Sequence, residues 1–243
     1  MPVDHLQRAD DLIELKKFDL AASEARRALA QDPEDAEAHY LLAWALWKSG
    51  KMKDALVSAR KAVHYAPEYA YAHSLLARLF DETPKRKNAK KHHQKAIQLR
   101  PNVADFYVTY ALHLYFEYPQ DTPFIVPYTP IWNTWKKAME LLEKALTLNP
   151  RHVGAYRVRA MWLGKIQRFS EAHQDLSMAL NIAPNHPVTY EVLGDLHSAE
   201  IHLSEAFSAY REALRLSPDD KQIRRKFVHA LGARKRITLG TYR

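Results

Sequence analysis

Six prolines set the frame for this chain. Pro33, Pro67 and Pro101 stand 34 residues apart, and Pro150, Pro184 and Pro218 repeat the interval. The gap between the two series, from Pro101 to Pro150, is 49 residues, one interval plus 15. Each proline follows an apolar, helix-like stretch carrying Ala28-Leu29, Ala62-Val63, Ala96-Ile97, Ala145-Leu146, Ala179-Leu180 or Ala213-Leu214. A proline has no N–H with which to extend the preceding helix, and its fixed φ suits the first turn of the next one. Periods of this length mark stacked repeats, which must be recognised before any local assignment.

Alignment on the interval brings three small positions into register. They are Ala9, Ala43, Ala77, Ala111, Ala160 and Gly194, then Ala21, Ala55, Ala89, Ala138, Ala172 and Ala206, then Ala28, Ala62, Ala96, Ala145, Ala179 and Ala213. Small residues let two helices approach closely. Leu42, Leu76, Leu193, Phe18, Phe169, Trp135 and Leu203 fill the spaces between them. This pattern resembles the tetratricopeptide repeat family, a 34-residue unit of two antiparallel helices. In that family the eighth, twentieth and twenty-seventh positions are small and the thirty-second is proline. The resemblance covers residues 2–220 and implies an all-α fold, a right-handed α-α superhelical solenoid of six helix pairs. The repeats are 2–35, 36–69, 70–103, 104–152, 153–186 and 187–220. Residues 221–232 read as a further helix with Ile223, Phe227, Val228 and Leu231 as its apolar stripe, ending near Gly232 and capping the array within a 221–243 tail. The family's Trp at the fourth position is replaced by His5, His39, His73, Tyr107, Tyr156 and Tyr190. Thr83-Pro84-Lys85 at the turn of repeat three, followed by polar Arg86, predicts that its second helix starts late.

The resemblance implies a protein-binding scaffold and assigns the inner groove to the first helix of each repeat. Carried over residue by residue, repeat two offers Glu37, Tyr40, Trp44, Trp47 and Lys48, and repeat three offers Tyr71, Ser74, Arg78 and Asp81. Repeat four offers Asp105, Val108, Leu112, Tyr115 and Phe116, repeat five offers Arg157, Met161 and Lys165, and repeat six offers Glu191 and Asp195. Tyr40, Trp44 and Trp47 share one helix face, and an aromatic cluster beside arginine has the composition of a binding hot spot. These rings are not expected to be needed for packing. A peptide or protein partner held in this groove is the expected function. Self-association through the same aromatic surface is the alternative, and nucleic-acid or anionic-surface binding through basic clusters is another.

The 15 extra residues fall within repeat four, near 117–133, and combine four prolines with Phe124, Tyr128 and Trp132. Proline excludes a regular helix there, while the aromatic content is foreign to disordered linkers, so an ordered loop packed on the solenoid is expected. Whether it is a lid over the groove or a self-packed decoration stays open.

Charge is uneven. The formal net charge is +8, yet the eight basic residues from Lys221 to Arg243, with no acid among them, account for all of it. Nucleic-acid binding is disfavoured, because the cluster around Lys85–Lys95 is not joined to aromatic platforms. A basic stretch, Arg234-Lys235-Arg236, leading into apolar residues resembles the cytoplasmic flank of a membrane segment. The layout also resembles bacterial repeat arrays that precede hydrophobic spans. The expectation is a cytoplasmic chain, membrane-associated through its tail or the soluble part of a longer protein. Cysteine is absent, glycine numbers six, and no nucleotide, protease or nucleophile fingerprint occurs, so neither catalysis nor a cofactor is expected. Of the thirteen histidines, His5, His39 and His73 recur one repeat apart and are expected to be structural. No closely spaced ligand set appears, and no metal site is expected.

Overall fold

The structure is a computed structural model that describes the backbone of residues 4–84, 86–117 and 130–240; the side chains of Pro130, Ile131 and residues 233–240 are not part of the description. The described residues form α-helices joined by short turns, with no strand. Residues 1–117 and 118–243 form two compact units.

The first unit holds α1 (His5–Glu14), α2 (Phe18–Gln31), α3 (Ala36–Lys48), α4 (Met52–Tyr65), α5 (Ala70–Asp81), α6 (Ala89–Leu99) and α7 (Ala104–Glu117). Each helix packs on the next, and α1, α3, α5 and α7 also touch in succession. The odd helices therefore form one layer. The second unit holds α8 (Pro130–Leu148), α9 (Val153–Lys165), α10 (Phe169–Ile182), α11 (Pro187–Ala199), α12 (Leu203–Leu216) and α13 (Lys221–Gly240), packed in the same sequential way, with α9 also against α11.

The eighteen small positions are all buried. Between paired helices, any larger side chain would force the axes apart. Gly194 shows how tight this is: a Cβ built on it would lie 2.5 Å from a ring carbon of Tyr210.

The turns obey the same period. Lys16, Gly50, Gln167 and Ile201 occupy the left-handed region, with φ of 57°, 77°, 61° and 64°. In each case the second helix starts two residues later, at Phe18, Met52, Phe169 or Leu203. The corresponding residue of the third repeat is Pro84, whose ring holds φ near −65° and forbids that turn. A single 3-10 turn, Arg86–Asn88, replaces it, and α6 begins at Ala89. The late start expected from Thr83-Pro84-Lys85 thus has its cause in one fixed dihedral.

Four of the six residues that stand where the family has Trp are hydrogen-bond donors to the turn prolines. His39 Nε2 donates to the Pro33 carbonyl at 3.0 Å and His73 Nε2 to that of Pro67 at 2.9 Å. The hydroxyls of Tyr107 and Tyr156 donate to the carbonyls of Pro101 and Pro150 at 2.8 and 3.1 Å. His5 instead bonds Glu24 at 2.7 Å.

Two sequence expectations are corrected. The last helix does not stop near Gly232; α13 continues to Gly240. Nothing lies within 4 Å of a Cβ built on Gly232, and its backbone is not left-handed, so it sits in the helix as an unstrained residue. Trp132 belongs to α8, not to a loop, and its ring stacks on Trp135 with centroids 4.6 Å apart. A proline at the first position opens α8, where a missing N–H costs nothing. Phe124 and Tyr128 lie outside the described residues, and with them the expected ordered loop.

Candidate functional site

The odd-helix layer of the first unit carries a continuous run of aromatic rings. On α3, Trp44 and Trp47 meet edge to face with centroids 5.4 Å apart, and Tyr40 lies 6.4 Å from Trp44. Tyr40 then contacts Tyr69 at 5.3 Å, Tyr69 contacts Tyr71 at 6.2 Å, and Tyr71 contacts Phe106 of α7 at 5.3 Å. Edge-to-face geometry lets the positive rim of one ring meet the negative face of the next. Helical spacing puts Tyr40, Trp44 and Trp47 on one face, and the α3–α5 contact brings Arg78 across to them.

Two cations lie over the indoles. The Arg78 guanidinium carbon is 5.1 Å from the Trp44 centroid and 4.7 Å from that of Trp47. Lys48 Nζ is 5.5 and 4.1 Å from the same two rings. Among the described residues neither cation has a carboxylate at ion-pair distance. Trp47 is fixed by its Nε1–H, which donates to Glu82 at 3.0 Å. Burial lowers the Lys48 pKa, and the neighbouring Arg78 charge lowers it further. Burial pushes the Tyr40 hydroxyl up to about 12 and raises Tyr69 as well, so both are neutral hydrogen-bonding groups near neutral pH. An open cleft of about 760 Å³ adjoins the run, lined among others by Tyr69, Tyr71, Glu37 and Arg100.

The rings are not surplus to packing, contrary to expectation. Tyr40, Trp44 and Trp47 are half-buried and rest on the core that contains Leu42, Leu46, Leu75 and Leu79. Each is held from beneath and open on one side. Tyr69 belongs to the run but was invisible to the repeat frame, because it precedes α5 and is not one of the family's groove positions.

Other expected groove residues go elsewhere. Ser74 and Val108 are 6% and 5% exposed and offer a partner almost no surface. Leu112 and Tyr115 are half-buried on α7, with Tyr115 against Phe116 at 5.4 Å. Asp81 turns inward, where its two oxygens accept from His93 Nε2 at 2.9 Å and His113 Nδ1 at 2.5 Å. Burial raises the Asp81 carboxyl, but these two donors outweigh it and its pKa ends below the usual value. Those three ligand atoms lie within 4.8 Å of one another, yet both imidazoles are closed in the core and each already serves its own oxygen. In the second unit, Arg157, Met161 and Lys165 are half-buried on α9, and Met161 packs beside Leu163 and Leu176. Glu191 and Asp195 are taken by α13, whose Lys226 Nζ reaches them at 2.7 and 2.6 Å.

A model of the tetratricopeptide repeat family matches residues 12–79, which include α3, most of α5 and the Trp44–Trp47–Arg78 cluster. Over that stretch the sequence matches tetratricopeptide repeats. Solved structures agree at the level of fold. A tetratricopeptide repeat protein from Parabacteroides merdae superposes with a TM-score of 0.73 at 12% identity, over 93% of this chain and 83% of that one. Pseudomonas aeruginosa pilF gives 0.65 at 19% identity, over 94% and 96%. YrrB, described as a repeat protein with an unusual peptide-binding site, gives 0.51 at 20% identity, over 88% and 99%. No curated protein matches the chain in sequence. Proteins of this repeat family in general hold other proteins or peptides and are not catalysts. No described helix is long and apolar enough to cross a membrane.

Proposed function

We propose that this repeat protein holds a peptide, or a peptide-like segment of a larger protein, on the aromatic run of α3 and α5. The observation that carries the proposal is the pair Trp44 and Trp47 with Arg78 and Lys48 lying over them. The rings supply a rigid, half-dry platform at small entropic cost, which is how interface anchors work. The cations are held in place by the ring faces and lack a carboxylate partner among the described residues. A fitting ligand has an apolar side chain for the cleft beside Tyr69 and Tyr71 and an acidic group for Arg78 and Lys48. The YrrB likeness is consistent with a peptide ligand but shows only the fold.

Peptides selected by display against the full chain provide the test. They are expected to be enriched in Asp or Glu near an apolar anchor. Arg78→Ala is expected to weaken them by about tenfold or more, the loss of a single hot spot, with little change in melting. Selected peptides that bind Arg78→Ala and Trp47→Ala as tightly as the parent would place the site elsewhere. Concentration-dependent dimerisation abolished by the same changes would mean that the occupant is a second copy.

A further inference from the structure

A second cluster of ligand-type side chains stands in the second unit. His173 on α10, His197 on α11, and Glu200 and His202 in the α11–α12 turn converge on one carboxylate oxygen. Glu200 Oε2 is 2.7 Å from His173 Nε2, 3.7 Å from His197 Nδ1 and 3.9 Å from His202 Nδ1. The rings of His173 and His197 lie 4.9 Å apart, and ligand atoms of His173, His197 and Glu200 all fall within 4.8 Å of one another. His197 Nδ1 is buried and has no hydrogen-bond partner. A buried imidazole nitrogen left unpaired is costly, and here it faces a carboxylate oxygen too distant for a hydrogen bond.

We propose that His173, His197, Glu200 and His202 bind a divalent transition-metal ion, zinc by preference. Imidazole and carboxylate donors without thiolate select zinc, nickel or copper over calcium and magnesium. Tetrahedral zinc with bonds of about 2.0–2.1 Å sets its ligand atoms about 3.4 Å apart. The separations of His173 and His197 from Glu200 Oε2 bracket that value, so small side-chain rotations suffice for these three, while His202 must swing further. The ion would take the lone pair of His197 and draw in His202, whose side chain is 57% exposed and free to swing. Ile201, left-handed at φ 64°, is the residue that turns the chain between Glu200 and His202. Closure would tie α10 to the start of α12 through the end of α11. The inner triad of Asp81, His93 and His113 also holds unpaired buried nitrogens, His93 Nδ1 and His113 Nε2, but there the nitrogens that approach the carboxylate are already hydrogen-bonded to it.

The test uses tag-free, chelator-stripped full chain titrated with zinc chloride, read by calorimetry and by melting. One ion per chain with a raised melting temperature is expected. His173→Gln with His202→Gln, both at accessible positions, should weaken binding by at least roughly tenfold, the low end for losing even an outer partner of a metal ligand. The metal-free melt should stay near the parent's. Cobalt should give visible bands of a four-coordinate nitrogen and oxygen site in the parent and not in that variant. Absence of zinc binding in the parent overturns the proposal. So does binding that survives the double change, or that is lost only in His113→Gln. Should the variant not fold, long-range nitrogen-15 spectra of the parent decide: zinc must shift the His173, His197 and His202 ring nitrogens and leave those of His93 and His113 in place.

Discussion

Single residues set how close the helices of this repeat protein can come. Gly194 is the plainest case, because Tyr210 lies where its side chain would be and is anchored by its hydroxyl to Asp195 at 2.7 Å. Gly194→Ala is expected to destabilise by about 1–3 kcal/mol through overpacking, seen as an earlier urea midpoint. Gly164 is a control in the same unit. A Cβ there would meet only Leu196 Cδ1 at 2.9 Å, the end of a flexible side chain. Gly164→Ala should therefore change stability by less than about 1 kcal/mol, since alanine's better helix propensity offsets the adjustment. The repeat frame marks the Gly194 position as small but cannot tell which neighbour enforces it. It likewise shows His39, His73, Tyr107 and Tyr156 as departures from Trp. Only the turn geometry explains them, as polar rings that reach a proline carbonyl six residues back.

Among the elements, the α5–α6 pair carries a histidine pair whose state depends on pH. His73 gives its Nε2–H to Pro67, so its Nδ1 accepts from His92 Nδ1 at 2.9 Å. His73 must be neutral for this arrangement, since its Nδ1 is the acceptor. Burial lowers both pKa values, that of His92 to about 4, with the His73 ring adding to the effect. The folded pKa is thus below the unfolded one near 6.5, and the unfolded chain takes up the proton first as pH falls. Stability is complete above about pH 6.5 and declines progressively down to about pH 4. For His92 the loss is on the order of 2–3 kcal/mol. Urea titrations at pH 7.5 and pH 5 check this, and His92→Gln should flatten the difference. Amide exchange should quicken first in α5 and α6. The sequence showed His92 beside His93 but not which ring meets His73, because that depends on the start of α6, set by Pro84.

At the scale of the whole molecule, an array of helix pairs must cover its last apolar face. In the second unit α13 does so: Ile223 and Ala230 are buried, and Phe227 meets Phe207 at 5.0 Å. Lys226 meets Glu191, itself 7% exposed, so losing the helix leaves a carboxylate half-enclosed without its cation. Deleting residues 221–243 is expected to destabilise the second unit by roughly 2–4 kcal/mol, visible as a lower melting temperature. Lys226→Ala alone should cost about 1–3 kcal/mol. A truncated chain that melts like the parent would show that α13 is not a cap. By itself the sequence determined the repeat, the eighteen small positions, the polar fourth-position rings and the irregular turn at Pro84. These follow from chain geometry that recurs every 34 residues and needs no distant partner. Only the tertiary structure decided which groove positions are open, that Ser74 and Val108 are closed, that Tyr69 joins the aromatic run and that Lys226 takes Glu191 and Asp195. It alone brought His173 to Glu200, 27 residues on. Contacts between helices depend on how neighbouring pairs are rotated against each other, and a spacing rule within one helix carries no record of that rotation.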